Sequence, residues 1–484
     1  MSRPYKSARA ATHCALLALM LAGTGFASAQ STPGTIVYNY SYDSNNNLIK
    51  STDALGRVTQ ITYDALDRRS TLTDAKQGIT QYGHDALDHL TSVTDPRNLV
   101  TSYQIDGLNN LNQLQSPDTG NTVNTYDAGG NLLTRTDAKQ QTTHYSYDAM
   151  NRLVGIVYAD NSSVSFAYDN SANGLGLLTQ IIDGSGTTTY TYDAGGRLLT
   201  DTRMINVITS INGTATPTPF VTSYSYDNVG RLATVTYPSG RVLSYTRDAL
   251  GRINQISSTK NSVTTILVSQ VSYRPFGGVQ SFVNGAGITT TRGFDQSGRM
   301  TSYTLNGELH TLTYDGASNI VSHTDGGNPN NNSNYGYDAL DRLTSALSAI
   351  NSLGYSYDAN GNRTSQSNGG TTSSNSYAAA SNQLTQITGA QTVPVTTDLN
   401  GSITNNGSNQ FAYDARGRMT SAVTPGGLIQ YSINALGQRV QKVSTSGNTV
   451  FEYDNSGKLI GETNGQNGKD YIYLGDIPVA VVQM

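Results

Sequence analysis

The stretch Tyr147-Asp148-Ala149-Met150-Asn151-Arg152-Leu153 decides how this chain folds, because it returns as Tyr192-Asp193-Ala194-Gly195-Gly196-Arg197-Leu198 and its opening dipeptide keeps a register. Tyr42-Asp43, Tyr63-Asp64, His84-Asp85, Ile105-Asp106, Tyr126-Asp127, Tyr147-Asp148 and Tyr168-Asp169 stand 21 residues apart. At looser intervals the dipeptide continues at Tyr192-Asp193, Tyr226-Asp227, Phe294-Asp295, Tyr314-Asp315, Tyr337-Asp338, Tyr357-Asp358, Tyr413-Asp414 and Tyr453-Asp454. Such a period marks a repeat architecture, in which each unit completes its core against its neighbours.

The motif carries the chemistry of a tight turn. Its Asp accepts hydrogen bonds from backbone N–H groups just downstream, and the Gly, Asn or Asp three residues later tolerates the positive φ of a reversal. A second series of breaks, Asp74, Asp95, Asp118, Asp137, Asp160 and Asp183, falls about halfway between, so one repeat reads strand, turn, strand, turn. That leaves about six or seven residues per strand, or about 20 Å, and β-favouring residues such as Val58-Thr59-Gln60-Ile61-Thr62-Tyr63 fill it. Helical periodicity is absent beyond the first residues. The fold class expected is all-β: antiparallel hairpins of about 21 residues forming a long spiralling sheet, a partial β-shell or solenoid. At ~4.8 Å per strand, roughly 20 two-strand repeats give a ribbon near 190 Å, about one circuit of a shell ~60 Å across.

Composition fits an extended repeat better than one compact core, since 484 residues exceed what a single core supports. Charged residues are only 13%, and 31 Tyr stand against 8 Phe and no Trp, so the tyrosines have a repeated structural task. A cross-strand aromatic ladder is the expected one, at about 0.2–1 kcal/mol per pair, with sugar stacking as the rival. Arg57, Arg68, Arg152, Arg197, Arg231, Arg252, Arg299, Arg342 and Arg418 follow the turns and predict a rim of charges alternating with the turn aspartates. Stretches near 204–220, 326–334 and 365–376 lack the motif and read as surface loops.

Arg3, Lys6 and Arg9, the apolar run Cys14 to Leu21, and Ala27-Ser28-Ala29 before Gln30 read as a signal peptide over residues 1–29, leaving a repeat domain over 30–484. The exported chain would be periplasmic, cell-surface or secreted, with no transmembrane segment, because no later stretch approaches ~20 apolar residues. Cys14 is the sole cysteine, so the mature chain is expected to have no disulfide and no thiolate metal site. Loss of the leader leaves 27 Lys+Arg against 34 Asp+Glu, which disfavours nucleic acid as a partner.

No catalytic, cofactor-binding or metal residue is expected. His84, His89, His144, His310 and His323 show no metal-binding spacing and read as isolated strand or surface histidines. Asp43-Ser44-Asn45-Asn46-Asn47 and Asp358-Ala359-Asn360-Gly361-Asn362 alternate Asp and Asn as calcium loops do, without the downstream bidentate Glu. Neither a nucleophile elbow nor a phosphate-binding or dinucleotide loop is present.

The consensus, running from residue 38 to about 460, resembles the tyrosine-aspartate (YD) repeats of RHS proteins, the teneurin shell and the cocoon components of insecticidal toxin complexes. Tyr273-Arg274-Pro275-Phe276-Gly277-Gly278-Val279 with Arg292-Gly293-Phe294-Asp295 is similar to a bacterial RHS segment, and residues 470–482 resemble the lead-in to the RHS-associated core. The resemblance implies a β-sheet shell that encloses a toxic domain, and relatives continue past this point into a core and effector where this chain stops at Gln483-Met484. The function expected is a non-catalytic secreted YD-repeat scaffold, part or remnant of a polymorphic toxin encapsulation and delivery system. Its partners would be a toxin or effector cargo or a second shell component. The alternative is an adhesin for a glycan or another cell-surface ligand. An enzyme is the third and least supported reading.

Overall fold

The computed structural model describes residues 37–275 and 277–484. The predicted signal peptide lies outside the described residues, as does Phe276. Within them the chain is a continuous series of antiparallel hairpins: 33 strands from Asn39–Tyr42 to Thr392–Pro394, then ten from Thr396–Thr397 to Ile477–Gln483. The two sheets part at Pro394, which has no N–H to donate to a ladder, and Val395 turns its own N–H to Thr385 O at 2.8 Å. The all-β expectation holds throughout.

Each YD turn opens with a defect in the ladder. Register shifts fall between Thr62 and Tyr63, Ser146 and Tyr147, Thr191 and Tyr192, and Ser356 and Tyr357, always at the tyrosine. A bulge bends its strand and sharpens the local twist. Repeated on the same rim, it curves the ribbon in one sense.

The curvature brings the ribbon back upon itself. Arg57, in the turn between Leu48–Thr52 and Val58–Tyr63, reaches Asp341 Oδ1 at 2.8 Å, in the turn between Ser333–Tyr337 and Leu343–Ser348, twenty-five strands further on. One circuit is therefore about 120 Å around at ~4.8 Å per strand. The expectation of a single wide circuit is corrected: the ribbon curves more tightly, and a second circuit lies beside the first.

Much of the sheet is half-buried, as a single layer must be. The principal core forms where layers overlap: Val235, Tyr237, Leu243, Ile256, Val268 and Phe282 of the first circuit pack against Ile460, Ile472 and Leu474 of the last strands. Two of the predicted loops are also corrected. Residues 204–220 belong mostly to the paired strands Leu198–Ile208 and Ala215–Tyr226, and 365–376 to Arg363–Asn368 and Thr371–Tyr377. Both stretches carry β-favouring Thr, Ile, Val or Ser without the Tyr-Asp signature, so the motif's absence hid the strands. The 326–334 stretch is a connection with a short 3-10 turn, Pro329–Asn331, before Ser333–Tyr337.

Candidate functional site

The ribbon's chemistry lies on its rims, and one repeat shows how it is built. Asp148 Oδ1 accepts from Met150 N and Arg152 N, each at 2.9 Å, while its Oδ2 accepts from Arg152 Nε at 2.6 Å. Asn151 holds φ at 59°, the reversal foreseen for that position. The Arg152 guanidinium then lies 4.4 Å from the centre of the Tyr168 ring, one repeat on, and donates to Asp169 Oδ2 at 2.7 Å. Tyr168 Oη donates back to Leu153 O at 3.2 Å. Tyr226, Tyr314 and Tyr357 repeat the arrangement beneath Arg197, Arg299 and Arg342.

This corrects the aromatic ladder. Among the described residues successive YD tyrosines meet no stacked ring of their own kind; Tyr168, Tyr226, Tyr314 and Tyr357 are covered by the arginine of the preceding repeat, and these and others, such as Tyr63 and Tyr126, are tied to a backbone carbonyl. Burial raises the Tyr168 hydroxyl above its ordinary pKa, so it remains a donor. The alternating charge rim is present, with Arg68 bridging Asp64 and Asp88 and Arg152 bridging Asp148 and Asp169. Hydrogen bonds and the ion pair with Arg68 hold Asp64 down at about 2.

Between the circuits, turns of opposite rims interlock. Lys76 Nζ stands 3.4 Å from Asp338 Oδ2, Arg97 Nε 3.5 Å from Asp358 Oδ2, and Lys139 Nζ 3.3 Å from Asp398 Oδ2. Arg97 also donates to Ala378 O, Ser381 O and Asn382 Oδ1 at 2.8–2.9 Å. The seam leaves open clefts, among them one of 420 Å³ bordered by Lys76, Ile79, Pro96, Leu340 and Arg342, and one of 390 Å³ between Tyr145, Tyr158 and Arg416.

The histidine expectation is corrected at one place. His310 and His323, on neighbouring strands, meet with Nδ1 and Nε2 3.2 Å apart, and Tyr303 Oη lies 3.2 Å from the same Nε2. Linear spacing carries no sign of this meeting, because the register of a hairpin aligns the two rings. The Asp43 and Asp358 carboxylates accept from the N–H groups and Asn side chains of their own turns. Among the described residues no three His, Asp or Glu side chains converge as metal ligands.

A second unforeseen cluster lies under the last strands. Glu452, Gly461 and Asp470 are successive cross-strand partners, with Glu452 and Asp470 fully buried. Arg241 Nε and Ser239 Oγ donate to Asp470 Oδ2 at 2.7 and 2.8 Å, whereas Glu452 Oε2 has no partner. Burial first, then the Asp470 charge, pushes the Glu452 carboxyl up to about 7.

Comparison with known proteins sets this architecture in a family. The chain aligns at a TM-score of 0.71 with crystal structures of TcdB2-TccC3-TEV and TcdB2-TccC3, at 15% and 16% identity, covering 90% of this chain and 28% of each of those. A Photorhabdus luminescens Tc holotoxin pore aligns at 0.60 and 16% identity, covering 93% of this chain and 27% of that one. These likenesses show the fold, and the chain spans under a third of the solved chains. No curated protein matches it. Over residues 29–456 the sequence matches the Teneurin YD-shell family, and with the repeat turns, bulges and spiralling sheet described above, the chain belongs to that family.

Proposed function

We propose that this chain is an exported, non-catalytic wall of an RHS-type shell that encloses or delivers a toxic polypeptide, together with a second shell component. The supporting observation is that rim chemistry is spent on holding the wall together: aspartates and arginines pair within turns, between repeats and across the seam. Among the solved chains of similar fold is one from a Photorhabdus luminescens Tc holotoxin pore. For the adhesin reading, the tyrosines offer less than composition promised, since hydroxyls such as those of Tyr168, Tyr226 and Tyr357 are already donated to carbonyls.

The test is to isolate the tagged chain from the cell that makes it and add protease before and after unfolding. The expected result is a co-purifying polypeptide protected only while the shell is folded. Glycan-array binding with no accompanying polypeptide would replace the shell reading by adhesion.

A further inference from the structure

One arginine at the seam has no acid to answer it. In the turn that runs from Asp414 to Arg418, the Asp414 carboxylate is taken by Arg418, whose Nη2 lies 2.7 Å from Oδ2. Arg416 is left with its guanidinium over the Tyr158 ring at 4.1 Å, and among the described residues that guanidinium makes no ion pair and no hydrogen bond. Burial first, then the Arg418 charge, lower its pKa from the ordinary arginine value, the mark of a desolvated cation without a counterion. Arg135 lines the same 390 Å³ cleft. It too makes no ion pair among the described residues, and it stands directly opposite Thr143 in the ladder, which puts the two side chains on one face of the sheet.

Other polar groups on the lining are equally unengaged. The hydroxyls of Tyr145, Tyr158, Thr143 and Ser402 make no hydrogen bond among the described residues, in contrast with YD tyrosines such as Tyr168 and Tyr226, whose hydroxyls are donated to carbonyls. Burial raises the Tyr145 and Tyr158 hydroxyls above their ordinary pKa, so both stay protonated and able to donate. Asn400 adds a buried acceptor. Its Nδ2 donates to Asp137 Oδ2 at 2.6 Å, which orients the amide and leaves Oδ1 buried with no partner, an oxygen that calls for a donor. The acid on the lining, Asp137, is already engaged by Asn400 and by the N–H groups of Lys139 and Gln141. Two arginines against one aspartate leave the lining one positive charge in excess.

We propose that this seam cleft binds a small hydroxylated monocarboxylate, of the chemical class of a sugar acid. Arg416 and Arg135 receive the carboxylate, because the planar guanidinium fork suits a planar pair of oxygens. Ligand hydroxyls meet Tyr145, Tyr158, Thr143 and Ser402, and one of them donates to Asn400 Oδ1. The single excess charge favours a monoanion over a phosphate group, which carries about −1.5 to −2 at pH 7. A volume of 390 Å³ lies at the small end of ligand pockets, about 300–1,000 Å³, and suits one sugar ring better than a peptide segment. Arg135, Thr143 and Tyr145 belong to Leu132–Thr136 and Thr142–Tyr147 of the first circuit, whereas Asn400, Ser402 and Arg416 belong to turns of the second. The bound ligand therefore ties the circuits across the seam. The inference goes beyond the shell reading and is independent of it, since cargo is a polypeptide and this site takes a small anion.

The test titrates the full chain with D-glucuronate by isothermal calorimetry, with D-glucose and inorganic phosphate as separate arms. Saturable binding of glucuronate is expected, at least about tenfold tighter than either of the others. Arg416→Gln should weaken it at least about tenfold, whereas Arg363→Gln, which removes an arginine 5.9 Å over the Tyr355 ring and outside the cleft, should leave it unchanged. A second measurement on the unmodified chain decides the matter where the Arg416 variant fails to fold. There glucuronate should shift the methyl resonances of Leu114 and Ala415, both on the lining, and slow hydrogen exchange in residues 398–402 and 414–418, as a ligand that binds only the folded seam must. Glucose bound as tightly as glucuronate, phosphate bound more tightly, affinity unmoved by Arg416→Gln in a folded variant, or neither methyl shifting would each overturn the proposal.

Discussion

At the residue scale, the arginine-bearing YD units are an exchange between neighbours: Asp shapes its own turn, Arg steadies that Asp and covers the next Tyr, and Tyr ties itself to the strand behind, whereas Asn takes the Arg's place beside Asp43, Asp106, Asp127, Asp315 and Asp358. Removing the Tyr168 hydroxyl with Tyr168→Phe deletes one bond to Leu153 O, a loss of about 1 kcal/mol. Hydrogen exchange should report it as faster opening of strands 153–157 and 163–168, with distant repeats unchanged, because repeat arrays open locally. Gly196 holds φ at +75°, and a Cβ added there would meet Leu177 Cδ1 at 3.7 Å, an ordinary contact. Gly196→Val therefore costs conformational strain and not a clash, about 1–3 kcal/mol; unaltered exchange in the flanking strands would refute the turn assignment. Turn roles were legible in the sequence because they act within five residues. The arginine cover of tyrosines such as Tyr168 was not, since Arg152 and Tyr168 meet only after a hairpin has paired.

At the element scale, the long hairpin of Leu198–Ile208 and Ala215–Tyr226 is the departure that matters. Its added length carries Ile205 over the strands of the second circuit, where it packs with Val440 and Val450. Ile205→Ala removes a buried side chain from this small core and should cost about 2–4 kcal/mol, read as early melting of residues 439–453 in exchange. Nearby, Glu452 gives the last hairpins a pH dependence. Its folded pKa of about 7 lies above its ordinary value of 4.5, so the fold favours the protonated form. The Glu452 contribution to stability is fully present below pH 4.5, falls as pH rises through the window and is lost above 7, for a total of about 3 kcal/mol. Glu452→Gln should flatten that fall; denaturation midpoints at pH 5 and 8 that differ as much in the variant as in the parent would reject the assignment. Residues 204–220 and 365–376 defeated the sequence reading because strands need no motif, only β-favouring side chains and a partner.

For the whole molecule, the seam turns a curved ribbon into stacked circuits, and Arg97 is its most connected cation. Arg97→Ala strands the carbonyls of Ala378 and Ser381 together with Asn382 Oδ1. The variant should be cut faster by protease in residues 378–383 while its far-UV circular dichroism stays unchanged, because the hairpins on either side remain paired. Raised salt should accelerate cleavage in the parent at the same place, since partly exposed ion pairs are screened.

The sequence alone determined the strand-and-turn alphabet, the 21-residue register and the family, because these rest on interactions within a turn or between consecutive hairpins. Tertiary structure decided how tightly the ribbon curves, which rims meet, and where buried groups such as Glu452 and the His310–His323 pair come together. Those outcomes sum a small bend over twenty-five strands before residues some 280 positions apart touch. No local pattern carries the total of that bend, so the meeting of Arg57 with Asp341 is a property of the completed circuit.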